Sequence, residues 1–318
     1  MATTETQILD EVIVASRRRL MTLGGVAMAG LILGSTKTAE AATLTDADYL
    51  NFALNLEYLE AEFYTLAVSG KTIDMIGIGT GAGSATTGGG TVTVKPSGFA
   101  SCKVNFAVNA VANYASEIAT EEQKHVSFLR GALGSAAVAQ PDIDLFNSFN
   151  AAAAAAGIGP AFDPFSSDVA FLLGSYIFED VGVTAYHGAA PFISDSATLG
   201  AAVGIHAVEA YHAALIRTTL WGMDQANPSL GIAATVNKIS ALRATLDGTG
   251  NDDIGLSAVT VALNGSSASY SASTIVNADA ATSRGFSRTA QQVLNIVYAS
   301  PSGTKGGFFP SGLNGNVS

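Results

Sequence analysis

The feature that most constrains this chain is a Glu-x-x-His motif that occurs twice. Glu122 and His125 form the first copy, and Glu209 and His212 form the second. At a spacing of three residues, the two side chains of each copy project from one face of a helix. One copy alone is weak evidence because Glu and His are common on helix surfaces. Two copies in matching surroundings indicate a shared site.

Two glutamate–tyrosine pairs complete the pattern. Glu57 is followed by Tyr64, and Glu179 by Tyr186, in both cases after seven residues. Seven residues are about two helical turns, so each Glu lies on the same helix face as its Tyr. The order along the chain is therefore Glu, Glu-x-x-His, Glu, Glu-x-x-His, which indicates a duplicated pair of helices.

Apolar residues recur at helical spacing in four long segments, and each segment contains one part of this pattern. The predicted helices cover residues 46–68, 104–133, 167–190 and 197–221. A few residues join the third helix to the fourth, which predicts antiparallel neighbours, whereas about thirty residues join the second to the third. That connection contains the alanine run 151–156, for which we expect a short helix. One long crossover predicts an all-α, ferritin-like four-helix bundle.

The bundle is predicted to occupy residues 42–222, and residues 223–318 to form an irregular C-terminal extension packed on it. The elements expected in the extension are helices near residues 228–246 and 288–298 and a strand near 259–263. Residues 77–91 are rich in Gly, Ser and Thr and have no periodicity, which indicates a flexible loop.

The N-terminus has the features of a targeting segment. Residues 16–21 resemble a twin-arginine export signal, and the apolar stretch 20–33 that follows is shorter than a membrane span of about 20 residues. Residues 39–41 offer a small-x-small cleavage site. We therefore expect residues 1–41 to be a signal peptide, with export to the periplasm or the extracellular space and no stable membrane span after cleavage. The alternative is an uncleaved membrane anchor.

If the predicted helices pack together, they bring four carboxylates and two imidazoles into one interior. A buried carboxylate costs roughly several kcal/mol unless a cation compensates it, and four together favour their protonated forms. Two divalent metal ions solve this problem when each takes one His and terminal carboxylate oxygens while two carboxylates bridge. Oxygen donors with one nitrogen for each ion favour Fe or Mn. The predicted ligands are Glu57, Glu122, His125, Glu179, Glu209 and His212.

Two neighbouring glutamates compete for these roles. Glu60 lies one turn after the first predicted ligand and could bind metal instead, but its equivalent in the repeat is Gly182. Glu121 also reaches the face of the following His, but the repeat places Val208 at the equivalent position. We therefore predict that neither glutamate is a ligand. Glu60 is instead a catalytic candidate, with the role of a proton relay.

Further residues are candidates for contact with the centre. Tyr64 and Tyr186 are predicted to act near the metals as hydrogen-bond donors or redox-active groups, and the alternative for both is a packed aromatic ring. Arg130 and Arg217 each follow a motif His by five residues, and we expect them to pair with carboxylates in or around the site. His206 is expected to lie beside the site or on the surface.

Four stretches of the chain resemble the ferritin-like proteins related to plant desiccation-related proteins. These stretches are residues 50–64, 178–190, 288–298 and 307–310. The resemblance extends over essentially the whole chain after the signal peptide. It implies a ferritin-like fold and keeps the six predicted ligand positions, but it does not define a reaction.

The net charge of −11 argues against a nucleic-acid partner. The single cysteine, Cys102, cannot form an internal disulfide and is expected to be buried. The leading hypothesis is an exported metalloprotein whose di-iron or di-manganese centre performs redox chemistry with O2 or peroxide in stress protection, as a ferroxidase- or catalase-like oxidoreductase. The alternative is a non-catalytic stress protein of the cell envelope. The oligomeric state stays open, with a homo-oligomer as one option.

Overall fold

The computed structural model describes residues 44–248, 253–262 and 269–318. The predicted signal peptide therefore lies outside the described residues. Helices dominate the described chain, and four long ones form the all-α, ferritin-like bundle that the sequence predicts. They are α1 (Asp46–Ser69), α2 (Asn109–Leu133), α4 (Asp168–Ala189) and α5 (Ser196–Ala226), with the short α3 (Asn147–Ala155) in the crossover. The helix α1 packs chiefly on α2, and α4 chiefly on α5.

Local sequence explains where most of the long helices begin and end. The helix α1 starts with a capping box between Thr45 and Asp48 and ends at Gly70, which adopts the left-handed conformation. Ser167 caps α4 through the backbone N–H of Ala170, and the side chain of Asp195 caps α5 in the same way. The short helix predicted for the alanine run is confirmed by α3.

The helix α2 starts at Asn109, five residues later than the sequence predicts. The backbone N–H of Val104 instead donates to the carbonyl of Ala67 at 2.8 Å. The carboxylate of Asp168 then accepts the N–H groups of Ala107 and Val108 at 2.9 and 3.1 Å. A residue distant in sequence thus takes up the donors that a helix would otherwise use, which periodicity alone does not reveal.

Residues 77–91, predicted to be a flexible loop, are held by specific contacts. The guanidinium group of Arg130 donates to the carbonyls of Gly81, Gly83 and Ala85 at 2.7–2.9 Å. Just after the loop, the strand β1 (Val92–Thr93) pairs in parallel with β2 (Ile143–Asp144) of the crossover. The loop is therefore tied to both α2 and the crossover.

The C-terminal extension consists of α6 (Ile232–Asp247), an antiparallel hairpin of β3 (Ala258–Ala262) and β4 (Ser269–Ser273), and α7 (Ala290–Val297). The bundle helix α5 continues to Ala226, four residues beyond the boundary predicted at 222. Asp180 of α4 forms two buried ion pairs: it lies 2.7 Å from Arg217 of α5, within the bundle, and 3.0 Å from Arg243 of α6, which joins the extension to the bundle. Breaking such a pair leaves an uncompensated buried charge, so these contacts define where the extension packs.

Among the described residues, two helical stretches are long and apolar enough to cross a membrane by length and composition alone. They are Asp168–Phe192, which includes α4, and α5 (Ser196–Ala226). The apolar window of the first is 78% buried inside the protein and that of the second 33%. Core helices of soluble proteins pass the same test, so this finding is weak evidence for a membrane span.

Candidate metal centre

The structure brings all six predicted ligands together between the four long helices. The helix α1 contributes Glu57, α2 contributes Glu122 and His125, α4 contributes Glu179, and α5 contributes Glu209 and His212. Every one of these side chains is buried. The two helical repeats therefore point the same kinds of donor into one interior.

The six residues form two overlapping groups. One contains Glu57, Glu122, His125 and Glu209, and the other contains Glu122, Glu179, Glu209 and His212. Within each group, one donor atom from every residue lies within 4.8 Å of the others. Glu122 and Glu209 belong to both groups, which is the arrangement of two terminal carboxylate–imidazole pairs joined by two shared carboxylates.

Both imidazoles face the cluster with Nδ1. The Nδ1 atom of His125 lies 3.2 Å from Glu57, 3.3 Å from Glu122 and 3.5 Å from Glu209. The Nδ1 atom of His212 lies 3.0 Å from Glu122 and 3.4 Å from Glu179. One nitrogen donor is thus available in each group.

The two tyrosines contact the cluster, each across to the opposite helix. Tyr186 of α4 donates its hydroxyl hydrogen to Glu57 of α1 at 2.5 Å, and Tyr64 of α1 donates to Glu179 of α4. Neither tyrosine bonds the glutamate on its own helix, although each shares a helix face with it. The crossed pairing follows from the antiparallel packing of α1 and α4, in which one helix descends as the other ascends.

Glu60 is buried beside the cluster but belongs to neither group. A methyl group placed on Gly182 of α4 would lie 2.3 Å from Oε2 of Glu209 and 3.4 Å from Oε1 of Glu60. The glycine in the repeat position of Glu60 therefore leaves the space that the Glu209 carboxylate occupies. One glutamate and one glycine at equivalent positions make the two halves of the cluster unequal.

Glu121 has a contact that the sequence did not predict. Its carboxylate lies 2.7 Å from Nε2 of His212, on α5, while its side chain keeps 35% of its exposure to solvent. Such a carboxylate fixes the ring orientation and leaves Nδ1 directed at the cluster. The only sequence signal for this contact is the acidic residue before Glu122. The comparison of the two repeats excluded Glu121 as a ligand, because Val208 occupies the equivalent position, and it predicted no other contact for it.

Comparison with known families matches residues 45–221 to the family described as Ferritin-like domain. The chain belongs to the ferritin-like family. The match covers the four helices that supply the donors and ends within α5. The buried carboxylates and imidazoles of this ferritin-like chain are thus a candidate metal centre.

Two known proteins are similar to this chain over most of its length. The ferritin-like chain is 32% identical over 219 residues to desiccation-related protein PCC13-62 of Craterostigma plantagineum. The aligned region covers 67% of this chain and 66% of that protein. It is 28% identical over 278 residues to ferritin-like catalase Nec2 of Nesocodon mauritianus, covering 86% and 84% of the two chains. The predicted relation to plant desiccation-related proteins is confirmed. No solved structure matches the chain.

Charge balance in the ferritin-like interior depends on the two imidazoles. Burial opposes protonation of His125, but the carboxylates of Glu57 and Glu122 outweigh it and raise the pKa of His125 to about 12. Burial likewise opposes ionisation of Glu122, but hydrogen bonds from His125 and His212 prevail and lower its pKa. Burial raises the pKa of Glu57 to about 7 and that of Glu209 well above its ordinary value. The cluster therefore holds protons that a metal ion would replace.

The donor set fits divalent metal ions. Neither carboxylate oxygen of Glu209 accepts a hydrogen bond from the described residues, although both are buried. A buried carboxylate with unused oxygen donors is costly unless a cation or a proton compensates it. Carboxylate oxygens and one imidazole nitrogen in each group suit Fe and Mn.

The two arginine predictions have different outcomes, and only the one for Arg130 needs correction. Arg130 does not pair with a carboxylate of the site, because its guanidinium group donates to Tyr58 at 2.5 Å and to carbonyls of the 77–91 loop. Arg217 pairs with Asp180, which follows a predicted ligand in sequence but faces the C-terminal extension. Helical spacing shows where each arginine lies on its own helix. It does not show the partners, which are the 77–91 loop for Arg130 and Asp180 of α4 for Arg217.

His206 and Cys102 also have defined positions. The His206 ring faces His187 of α4, with ring centroids 5.9 Å apart, and belongs to neither donor group. Cys102 is fully buried, as predicted. Neither residue takes part in the cluster.

Proposed function

We propose that this protein is an exported, ferritin-like metalloprotein whose two-metal carboxylate centre performs redox chemistry with O2 or peroxide in stress protection. The observation that carries the proposal is the pair of overlapping donor groups that share Glu122 and Glu209. The family and the two relatives, one named as a catalase and one as desiccation-related, support the same assignment.

In this proposal Glu57 and His125 would hold one ion and Glu179 and His212 would hold the other, with Glu122 and Glu209, which belong to both donor groups, available to both ions. When bound, two Fe or Mn ions supply a centre that binds and polarises the oxygen species and exchanges electrons with it. The protein holds the donors by packing four helices around them and keeps bulk water out of the interior.

The residues around the donors have roles of their own. Tyr64 and Tyr186 donate hydrogen bonds to Glu179 and Glu57, which orients these carboxylates and disfavours their protonation. Burial and the charges of Glu122 and Glu179 raise the pKa of Glu60 well above its ordinary value. The raised pKa favours the protonated form of Glu60 at a position beside the cluster, and we assign it the proton relay.

Export is part of the proposal and depends on the sequence alone. Residues 16–21 and the cleavage site at 39–41 support transport by the twin-arginine route to the periplasm or the extracellular space. That route moves folded proteins and suits a chain that acquires metal before export. Detection of a mature N-terminus at Ala42 in the exported fraction would support it, and retention of residues 1–41 would contradict it.

A non-catalytic stress protein is the second candidate, and one observation favours it. His125 and His212 lie 3.0–3.3 Å from the carboxylates of Glu57 and Glu122, so imidazolium ions can balance part of the buried negative charge without metal. In this case the protons on His125 and His212 compensate the buried carboxylates, and any bound metal ions stabilise the bundle without catalysing a reaction.

Metal analysis and turnover distinguish these candidates. The protein is purified without oxygen, loaded with Fe(II) or Mn(II), and analysed for metal per chain, and consumption of O2 and peroxide is then followed. Two ions per chain with turnover support the redox proposal, and two ions without turnover support the structural one. Fewer than one ion per chain after loading would overturn the assignment of the site.

Substitution tests the ligands themselves. Glu122→Ala removes a donor shared by both groups and is expected to abolish loading of at least one ion. Glu117→Ala changes an exposed residue on the same helix and is expected to load like the unchanged protein. Equal loading of the two variants would refute the assigned ligand set.

A further inference from the structure

A cavity of about 210 Å³ lies outside the donor cluster, where the crossover helix α3 meets α6, α7 and the turn at Gly307. Its wall includes the exposed Ala151 and Ala155 of α3, so it opens to solvent on that side. Its interior wall includes the buried Ile239, Ile296 and Phe308. The donor cluster and the residues around it do not use this space.

The polar side chains in the wall are already engaged within the protein. The Ser148 hydroxyl donates to the carbonyl of Asp144, and the Thr235 hydroxyl donates to the carbonyl of Gly231 at 3.0 Å. Arg243 donates to the carbonyl of Tyr176 at 2.6 Å and pairs with buried carboxylates. The rest of the wall is apolar apart from backbone atoms, so a ligand that needs hydrogen bonds would lose them here.

Three aromatic rings contribute to the same wall. They belong to Phe149, Phe162 and Phe308, and the rings of Phe149 and Phe308 meet edge to face with centroids 5.2 Å apart. Rings in this arrangement offer both an edge and a face to a further aromatic group. An apolar protein cavity of about 150 Å³ is known to bind benzene, so this larger one has room for a substituted ring.

We propose that this cavity is a binding site for a neutral aromatic molecule slightly larger than benzene. The site is built from bundle, crossover and extension together, and it does not require the metal centre. It goes beyond the proposed function because it assigns the protein an organic ligand.

The cavity shares part of its wall with a space next to the donor cluster. A second, smaller void of about 20 Å³ lies beside Glu60 and Gly182. Ile177, Ile296 and Phe308 line both spaces. The smaller void has room for about one water molecule. A ligand in the large cavity therefore contacts side chains that also pack around the Glu60 side of the centre.

Toluene is a suitable probe, and the metal-free full-length protein is the material. Binding is measured by titration calorimetry and by the rise in unfolding temperature with toluene concentration. Ala152→Phe places a ring in the cavity and is expected to weaken toluene binding by about tenfold or more. Ala154→Phe places the same ring on an exposed position of α3 outside the cavity wall and is expected to leave binding unchanged.

Ala155→Phe provides a second cavity-filling variant at an exposed position, for use if Ala152→Phe does not fold. A crystal structure with bromobenzene locates the ligand directly through the anomalous signal of bromine. Bromine density between Phe149 and Ile239 supports the proposal. Absence of toluene binding to the unchanged protein, or equal binding by the cavity-filling and Ala154→Phe variants, overturns it. Because these measurements use no metal, their failure does not bear on the redox proposal.

Discussion

The Nε2 atom of His212 lies 2.7 Å from the Glu121 carboxylate, and the repeat provides no equivalent acceptor for His125 because Val208 occupies that position. The two halves of the centre therefore differ in how their imidazoles are held. A carboxylate behind a ligating imidazole orients the ring and raises its basicity. If the proposed two-metal centre forms, we expect the half around His212 to bind its ion more tightly.

The first prediction concerns this contact. Glu121→Gln replaces the carboxylate by a neutral amide and is expected to lower the affinity for one of the two ions by about tenfold to a hundredfold, while the other ion binds as before. Stepwise metal titration against a competing chelator measures the two affinities separately. Glu117→Gln, an exposed change on the same helix, is the matched control. Unaltered affinities in Glu121→Gln would show that the contact does not support metal binding.

The second prediction concerns the crossed tyrosines. Burial raises the pKa of Glu179, and the hydrogen bond from Tyr64 opposes part of this rise. Tyr64→Phe removes this bond, so protons compete more strongly with metal for Glu179, and the pH of half-maximal loading should move upward. Metal loading measured from pH 5 to pH 8 tests this shift.

Tyr211→Phe is the control for that measurement, because Tyr211 is 76% exposed and lies on α5 away from the cluster. Its loading curve is expected to match that of the unchanged protein. A Tyr64→Phe curve that coincides with both would indicate that Tyr64 only fills space.

The third prediction concerns the glycine opposite Glu60. Gly182→Ala places a methyl group 2.3 Å from Oε2 of Glu209, which forces this shared carboxylate to move. We expect at least one ion per chain to be lost. Gly204→Ala, on a part of α5 where nothing lies within 4 Å of the added methyl group, should retain both ions and stabilise the helix by about 0.5–1 kcal/mol. Full metal loading of Gly182→Ala, measured by elemental analysis, would contradict the prediction.

The fourth prediction concerns Glu62, which is fully buried outside the donor groups. Burial raises its pKa from the ordinary value of 4.5 to about 8. The folded state therefore holds the proton more tightly than the unfolded state, and this contribution to stability is complete below about pH 4.5 and is lost as the pH rises to about 8. The full loss is on the order of 5 kcal/mol.

Glu62→Gln removes the titrating group and should make the free energy of unfolding of the metal-free protein less dependent on pH in that window. Urea unfolding at pH 5 and pH 8 measures the difference. Glu117→Gln, which changes an exposed glutamate, should keep the dependence of the unchanged protein. An unaltered pH dependence in Glu62→Gln would mean that other groups cause it.

Much of the architecture could be predicted from sequence periodicity. The four long helices and their order follow from apolar spacing, and the long connection predicts the crossover. The start of α2 could not be predicted, because Asp168, distant in the chain, accepts the backbone N–H groups of Ala107 and Val108. The contacts of the 77–91 loop could not be predicted either, because its partner Arg130 lies on a helix 45–49 residues further along the chain.

The sequence by itself determined which donors share a helix face, because the spacings within each Glu-x-x-His motif and each Glu–Tyr pair are set by the local geometry of one helix. Only the tertiary structure decided which residues meet across helices. The antiparallel packing of α1 and α4 directs Tyr186 to Glu57, and the packing of α2 on α5 brings Glu121 to His212. Contacts between helices depend on their relative register and on the space left by residues such as Gly182, and both are set by side-chain packing.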